Sequence, residues 1–329
     1  MPKSRRSILR LLGGIAVYQS LPLVHASAQG FPVRPINLFV GFPAGGATDI
    51  TARVVGQKVS EILGQPVIVR NQPGASTVIA TETVARSAAD GYTLLLIPIS
   101  TAVYSGLRKK LPYNLERDLT PVSLVATGPF LLIVNSSVPA RSVKELIELA
   151  QSKPGKINAA SVGVGSAHHL VLELFKAMAK VDVVHVPYKG AAPADLAVAT
   201  GEVQMSFSSA AGALALLKTG KIRALAVTSA KRLSSLPSVP TLDESGLTGF
   251  DYSAWYGIAA PAGVPQNIIM SLNAAIGKAV QTPEVKDVLT KQGFEPTSST
   301  PEEFAAIISR EIKRTVSVAK TAKLDLQLE

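Results

Sequence analysis

The chain has no cysteine among its 329 residues. That excludes a disulfide framework, and equally a lipid-anchored cysteine behind an export signal. Histidine is scarce too. There are four, one of them His25 near the N-terminus, which is too few for a structural metal centre. Aromatic residues make up 5% and no run of lysine or arginine occurs, so the composition argues against nucleic acid as a partner. Long apolar runs are missing as well. The longest candidate, Leu11 to Val24, is broken by Gly13, Gly14, Gln19 and Pro22 and would span a bilayer poorly. Neither hydrophobic heptads nor solenoid repeats appear.

What the N-terminus does carry is an address. Lys3, Arg5, Arg6 and Arg10 precede the apolar segment, and Ala26-Ser27-Ala28 follows it as a small-residue cleavage site. Residues 1–28 therefore read as a signal peptide, with the periplasm as destination and Gln29 as the first mature residue. Ser4-Arg5-Arg6-Ser7-Ile8-Leu9-Arg10 also resembles a twin-arginine export signal. Cleavage takes four of the 33 basic residues and none of the 23 acidic ones, leaving a formal charge of +6. A moderate, dispersed positive balance suits an anionic ligand.

About 300 mature residues exceed one comfortable core and predict two domains. Strands alternate with helices almost throughout, which predicts parallel α/β sheets. Strands are expected at Ile36–Val40, Val67–Arg70, Tyr92–Ile97, Phe130–Val134, Ile157–Ala160, Val183–Val186, Val203–Phe207, Arg223–Val227 and around Trp255–Pro261. Helices are expected from Ile50 to a stop at Gly64, from about Ser76 to Ala88, behind the capping box at Ser142-Val143-Lys144-Glu145, after His169, over Ala191–Ala199 and over Ala210–Leu217. Three capped helices close the chain, the last opened by Thr300-Pro301-Glu302-Glu303. Pro112 to Pro121 reads as a polar connection.

Two stretches carry the chemistry. Gly41-Phe42-Pro43-Ala44-Gly45-Gly46-Ala47-Thr48-Asp49 and Ser161-Val162-Gly163-Val164-Gly165-Ser166-Ala167-His168-His169 are both strand–glycine–hydroxyl–helix junctions. Glycine lets a ligand approach the backbone, and a helix start offers unpaired N–H groups and roughly +0.5 of a charge. Such turns hold anions without lysine or arginine. The first turn is not a Walker loop and lacks the dinucleotide glycine spacing, so a nucleotide is disfavoured and no cofactor is expected. If the two turns face one another, a small carboxylate is gripped by backbone N–H groups, Thr48 and Ser166. An exported serine hydrolase is the rival reading, with Ser166 as nucleophile and His168 or His169 as base. Against it, the nucleophile elbow needs Gly-x-Ser-x-Gly, and here Ala167 follows Ser166. Asp49 has a plainer role open to it, because an acid in the first helical turn complements the dipole.

Phe31-Pro32-Val33-Arg34-Pro35-Ile36, the Gly41–Asp49 turn, Asn71-Gln72-Pro73-Gly74-Ala75, Asp90-Gly91-Tyr92-Thr93-Leu94, Pro187-Tyr188-Lys189-Gly190, Gly220 to Thr228 and Trp255 to Pro261 together resemble the Bug/TctC family. These are extracytoplasmic solute receptors of tripartite tricarboxylate transporters. The resemblance runs from Phe31 to the C-terminus. It implies an α/β type II periplasmic-binding-protein fold with a ligand cleft between two domains. Residues 29–127 with 251–329 would form one domain and 128–250 the other, joined by two crossing strands. It further implies a monomer and no enzymatic activity, with a small organic acid as ligand and transporter membrane subunits as partners. A receptor that signals to a sensor protein is the remaining alternative. By the same analogy the carboxylate loop falls on Phe42, Ala44, Gly45, Gly46, Ala47, Thr48 and Asp49. The second loop falls on Gly163, Gly165, Ser166 and His168. Ala75, Ser76, Ser100, Thr101, Tyr188, Lys189 and Ser208 line the cleft. Two departures stand out. Ser76-Thr77 replace further glycines and bring an extra hydroxyl. Ser208 stands where the family often has Asp, which tilts the expected ligand toward a plain or aromatic carboxylate.

Overall fold

The structure is a computed structural model that describes residues 30–74, 77–108 and 110–321. The expected signal peptide lies outside the described residues. Strand β1 (Ile36–Val40) runs through the first turn into helix α1 (Ala47–Leu63), which stops at Gly64 in the left-handed region, φ 68°. β2 (Val67–Asn71), α2 (Val78–Ala85) and β3 (Thr93–Pro98) follow. β3 passes directly into α3 (Ile99–Leu107), a helix the sequence reading omits; α4 (Leu115–Asp118) is a single turn capped by the Asn114 side chain.

The end of the expected connection, Leu119–Pro121, and the expected strand from Phe130 are one element, β4 (Leu119–Asn135), 17 residues long. Pro121 and Pro129 disguise it, because proline removes a ladder donor. The strand tolerates Pro121 through register shifts on either side of Ser123 and Leu124. After it come α5 (Val143–Ser152), β5 (Ile157–Ser161), α6 (Ala167–Ala179), β6 (Val183–Pro187), α7 (Ala191–Thr200), β7 (Met205–Ser209), α8 (Ala210–Leu217) and β8 (Ile222–Val227). β9 (Ser253–Pro261), α9 (Gln266–Val280), α10 (Pro283–Lys291), the short β10 (Glu295–Pro296) and α11 (Pro301–Thr321) complete the described chain. The capping boxes at Ser142 and Thr300 form, each hydroxyl accepting from the N–H of its Glu three residues on. α9 and α10, expected to be capped, start at Pro265 and Thr282 without a side-chain cap. Among the described residues no helix is long and apolar enough to cross a membrane.

The strand order is β2-β1-β3-β9-β4-β7-β5-β6, with β8 and β10 also on β4. β1, β2 and β3 are mutually parallel, as are β5, β6 and β7. β4 joins the two sets. Its first part pairs with β9, and its last part pairs with β7 and β8. The registers fix where the strands point. Pro98 at the end of β3 stands opposite Tyr256, which stands opposite Ala126 of β4. Ser209 at the end of β7 stands opposite Phe130 of β4. The two parallel sets thus aim their carboxyl ends at each other along β4, separated by four residues, roughly 13 Å of strand. α3 and α8 begin directly at the ends of β3 and β7. Ligands of open α/β sheets bind at such strand ends.

Candidate ligand-binding site

The first turn hangs from the end of β1. Gly45 takes φ +86°, which favours glycine, and Gly46 is the N-cap of α1 with no side chain to serve the helix. Gly46 and Ala47 are exposed, so the orphan N–H groups of Gly46, Ala47 and Thr48 form an open row of donors. Asp49 is 2% exposed, and its oxygens are already taken. Oδ2 accepts from the Gly45 N–H (2.9 Å) and Arg53 Nε (2.9 Å), and Oδ1 accepts from Asn71 Nδ2 (2.8 Å). The same Asn71 amide donates to the Phe42 carbonyl (3.1 Å). Burial pushes the Asp49 carboxyl up, but these hydrogen bonds outweigh it and hold the pKa at about 2. Asp49 therefore builds the turn. Asp49→Asn is expected to cost about 1–2 kcal/mol at neutral pH. The parent's extra stability is present above about pH 3.8 and disappears as pH falls through about 2, so urea unfolding curves of parent and variant should converge there.

The second turn is built alike. Ser166 is the N-cap of α6 and accepts from the His169 N–H (3.2 Å) while donating to the Gly163 carbonyl (2.7 Å). The Gly163 N–H reaches Ser161 Oγ (3.1 Å), and the Gly165 N–H reaches His169 Nδ1 (3.1 Å). Gly163, Gly165 and Ser166, expected at the ligand, direct these polar groups into the turn itself. The group left over is His168. Its ring stands edge-on to Phe130, centroids 4.7 Å apart, and its Nε2 is out of solvent contact with no partner among the described residues. Burial lowers the pKa of His168 to about 4, so the ring is neutral at pH 7. Phe130 marks the level on β4 where the opposed strand ends meet. Among the described residues Ser166 has no imidazole partner, whereas buried Ser161 does, with Oγ 2.6 Å from His185 Nε2. The nucleophile–base pair of the hydrolase reading is not formed at Ser166.

The remaining candidates divide. Ser100, half-buried, sits in the first turn of α3, a helix start without a side-chain cap at the level of the gap. Thr101 is fully buried and meets Thr77 Oγ1 at 3.0 Å. Ser208, buried at the end of β7, donates to the Ser209 carbonyl (3.2 Å). The Tyr188 hydroxyl donates to Glu202 (2.8 Å); burial first, and then that carboxylate, raise the phenol to about 12. Lys189 is exposed. Ala75 and Ser76 lie outside the described residues. A cavity of about 640 Å³ opens by the far end of α3, lined by Arg108, Tyr113 and Arg117, and holds none of these candidates. Sequence reasoning missed Arg53, His169 and His185 as builders of the turns. A signal for two of the turn-closing contacts exists in the spacing, because Asp49 stands four residues after Gly45 and His169 four after Gly165.

A family profile described as "Tripartite tricarboxylate transporter family receptor", TctC, matches residues 51–324. The chain belongs to the TctC family. Protein BugT of Bordetella pertussis is 37% identical over 318 residues, covering 95% of this chain and 98% of the relative. Among solved TctC-like structures, Rpa4515 of Rhodopseudomonas palustris with adipate is 36% identical with TM-score 0.76, covering 89% of this chain and 98% of that one. MatC of Rhodopseudomonas palustris with bound malate is 34% identical with TM-score 0.73, covering 88% and 99%. The expected α/β fold of periplasmic binding proteins is the one observed. A TctC chain is a solute receptor by family.

Proposed function

We propose that the protein captures a small organic acid in the periplasm and hands it to the membrane subunits of a tripartite tricarboxylate transporter. Residues 29–127 with 251–329 act as one domain and residues 128–250 as the other. They close about the two crossing strands, and the ligand favours the closed state through contacts made to both sides. One carboxylate lies on the N–H groups of Gly46, Ala47 and Thr48. The other end meets the first turn of α6, where His168 Nε2 offers the unpartnered polar atom, and Ser100 lies at the same level. The adipate and malate bound by the two Rhodopseudomonas relatives support a short two-ended acid. The observation that carries the proposal is the start of α1 at Gly46–Thr48, which has no side-chain cap and exposes Gly46 and Ala47.

A thermal-shift panel tests it. Adipate, malate and an aromatic acid are compared with adipamide, which has the shape without the charge. At a hundredfold excess over Kd a true ligand stabilises by about 2.7 kcal/mol, several degrees in Tm. At least one acid should do this and the diamide should not. Equal shifts from acid and diamide, or none from any acid, overturn the reading.

A further inference from the structure

The two turns share one device. In each, a glycine with positive φ precedes the N-cap, +86° at Gly45 and +74° at Gly165, and donates its N–H to the side chain four residues on. In the first turn that acceptor is the Asp49 carboxylate, which keeps its charge down to about pH 2. In the second it is an imidazole. An N–H donating to Nδ1 requires a lone pair there, so His169 must be neutral, with its proton on Nε2. Nε2 faces Glu173 Oε1 at 3.6 Å, and Lys176 holds that oxygen from the other side at 2.7 Å. The ring of His185 from β6 lies flat on His169, centroids 3.8 Å apart and 14° from parallel, and its Nε2 reaches Ser161 Oγ, which receives the Gly163 N–H. Both glycines of the turn are thus fastened to one imidazole stack. Burial first, and then His169, lower the pKa of His185 to about 4. His185 on β6 and Glu173 on α6 face His169, with Lys176 behind. No other ionisable side chain among the described residues comes within hydrogen-bond or ion-pair distance of it.

We infer that His169 is the positioning residue of the second turn: its neutral Nδ1 holds Gly165 and so keeps the mouth of α6 in the shape that receives the ligand. Protonation there sets two N–H groups against each other and releases Gly165. Capture by this site is then proton-sensitive at the second turn and proton-resistant at the first. The inference rests on the proposed receptor function for its consequence, and on the stack alone for its mechanism.

The test uses the purified protein and His169→Asn, whose Oδ1 stands where Nδ1 stood and cannot be protonated. The ¹⁵N signals of Gly165 and the His169 ring are followed across roughly pH 5–8, the range in which histidine titrates. Affinities for adipate and malate are measured by calorimetry over the same range. In the parent, Gly165 and His169 should move with one midpoint, and affinity should fall about tenfold through it, one hydrogen bond's worth. His169→Asn should bind like the parent at the alkaline end and show a flat profile. A Gly165 signal that ignores the His169 titration overturns the inference, as does the same affinity loss in His169→Asn. If neither acid binds at any pH, the receptor reading fails. The joint titration, present in the parent and absent from the variant, then still decides the positioning role.

Discussion

Gly46→Pro is expected to weaken carboxylate binding about ten- to a hundredfold with the fold intact. The backbone at Gly46 already has φ −81° and ψ 168°, within reach of proline's fixed φ. A Cβ there meets nothing closer than the Pro43 carbonyl oxygen at 3.8 Å. The substitution deletes one N–H from the donor row. A hydrogen bond to a charged group is worth about 1.5–3 kcal/mol, which sets the size of the loss. Gly46→Ala keeps the donor and should bind as the parent does. Lys189→Ala removes an exposed charge and should matter little. Calorimetry on the three variants, with circular dichroism confirming the fold, separates backbone recognition from capture by a lysine. Loss of binding in Lys189→Ala with Gly46→Pro unaffected would reverse the assignment.

The largest effect on stability is expected at Gly257. This residue lies in β9, paired with Ile97 of β3 and Leu124 of β4, and a Cβ on it would overlap the ring of Phe304. Phe304 is wholly buried on α11 and stands edge-on to Trp255, centroids 5.4 Å apart at 87°. Neither partner can step aside, since one is a strand between two strands and the other is held by its helix. Gly257→Ala should cost about 3 kcal/mol through overpacking. Phe304→Leu opens a cavity alone, but in the Gly257→Ala background it relieves the overlap. The double variant should therefore be more stable than the sum of the singles by about 1 kcal/mol or more. Strict additivity in denaturant unfolding would show that the two residues do not meet.

Much of this architecture is legible in residues that act locally. Gly64 ends α1 because its left-handed φ suits glycine, and Ser142 and Thr300 start helices with hydroxyls that cap their own backbones. α3 is less legible. Its first residues continue the apolar run of β3, and its N-cap is Pro98, so neither a polar cap nor a change of pattern marks the boundary. β4 is hidden by Pro121 and Pro129, whose acceptance depends on register shifts and on a change of partner strand between Pro129 and Phe130. The site follows the same division. The donor row at Gly46–Thr48 is implied by a helix start without a polar cap. By contrast, the engagement of Gly165 by His169 depends on which way a ring points, and its stacking on His185 depends on β6 pairing with β5. Composition carries neither.

β9 has a consequence for how the chain assembles. It occupies the middle of its sheet, between β3 and β4, yet it is drawn from far along the chain, with Trp255 meeting Thr127. Contacts of such separation close the longest loops and form slowly. The strands from β5 to β8 instead complete their pairings within one uninterrupted stretch beside the end of β4. On a growing polypeptide β3 keeps a bare edge until residues beyond 253 arrive, and a bare edge invites strand addition by other chains. The sheet that presents the first turn is consequently the last to be sealed.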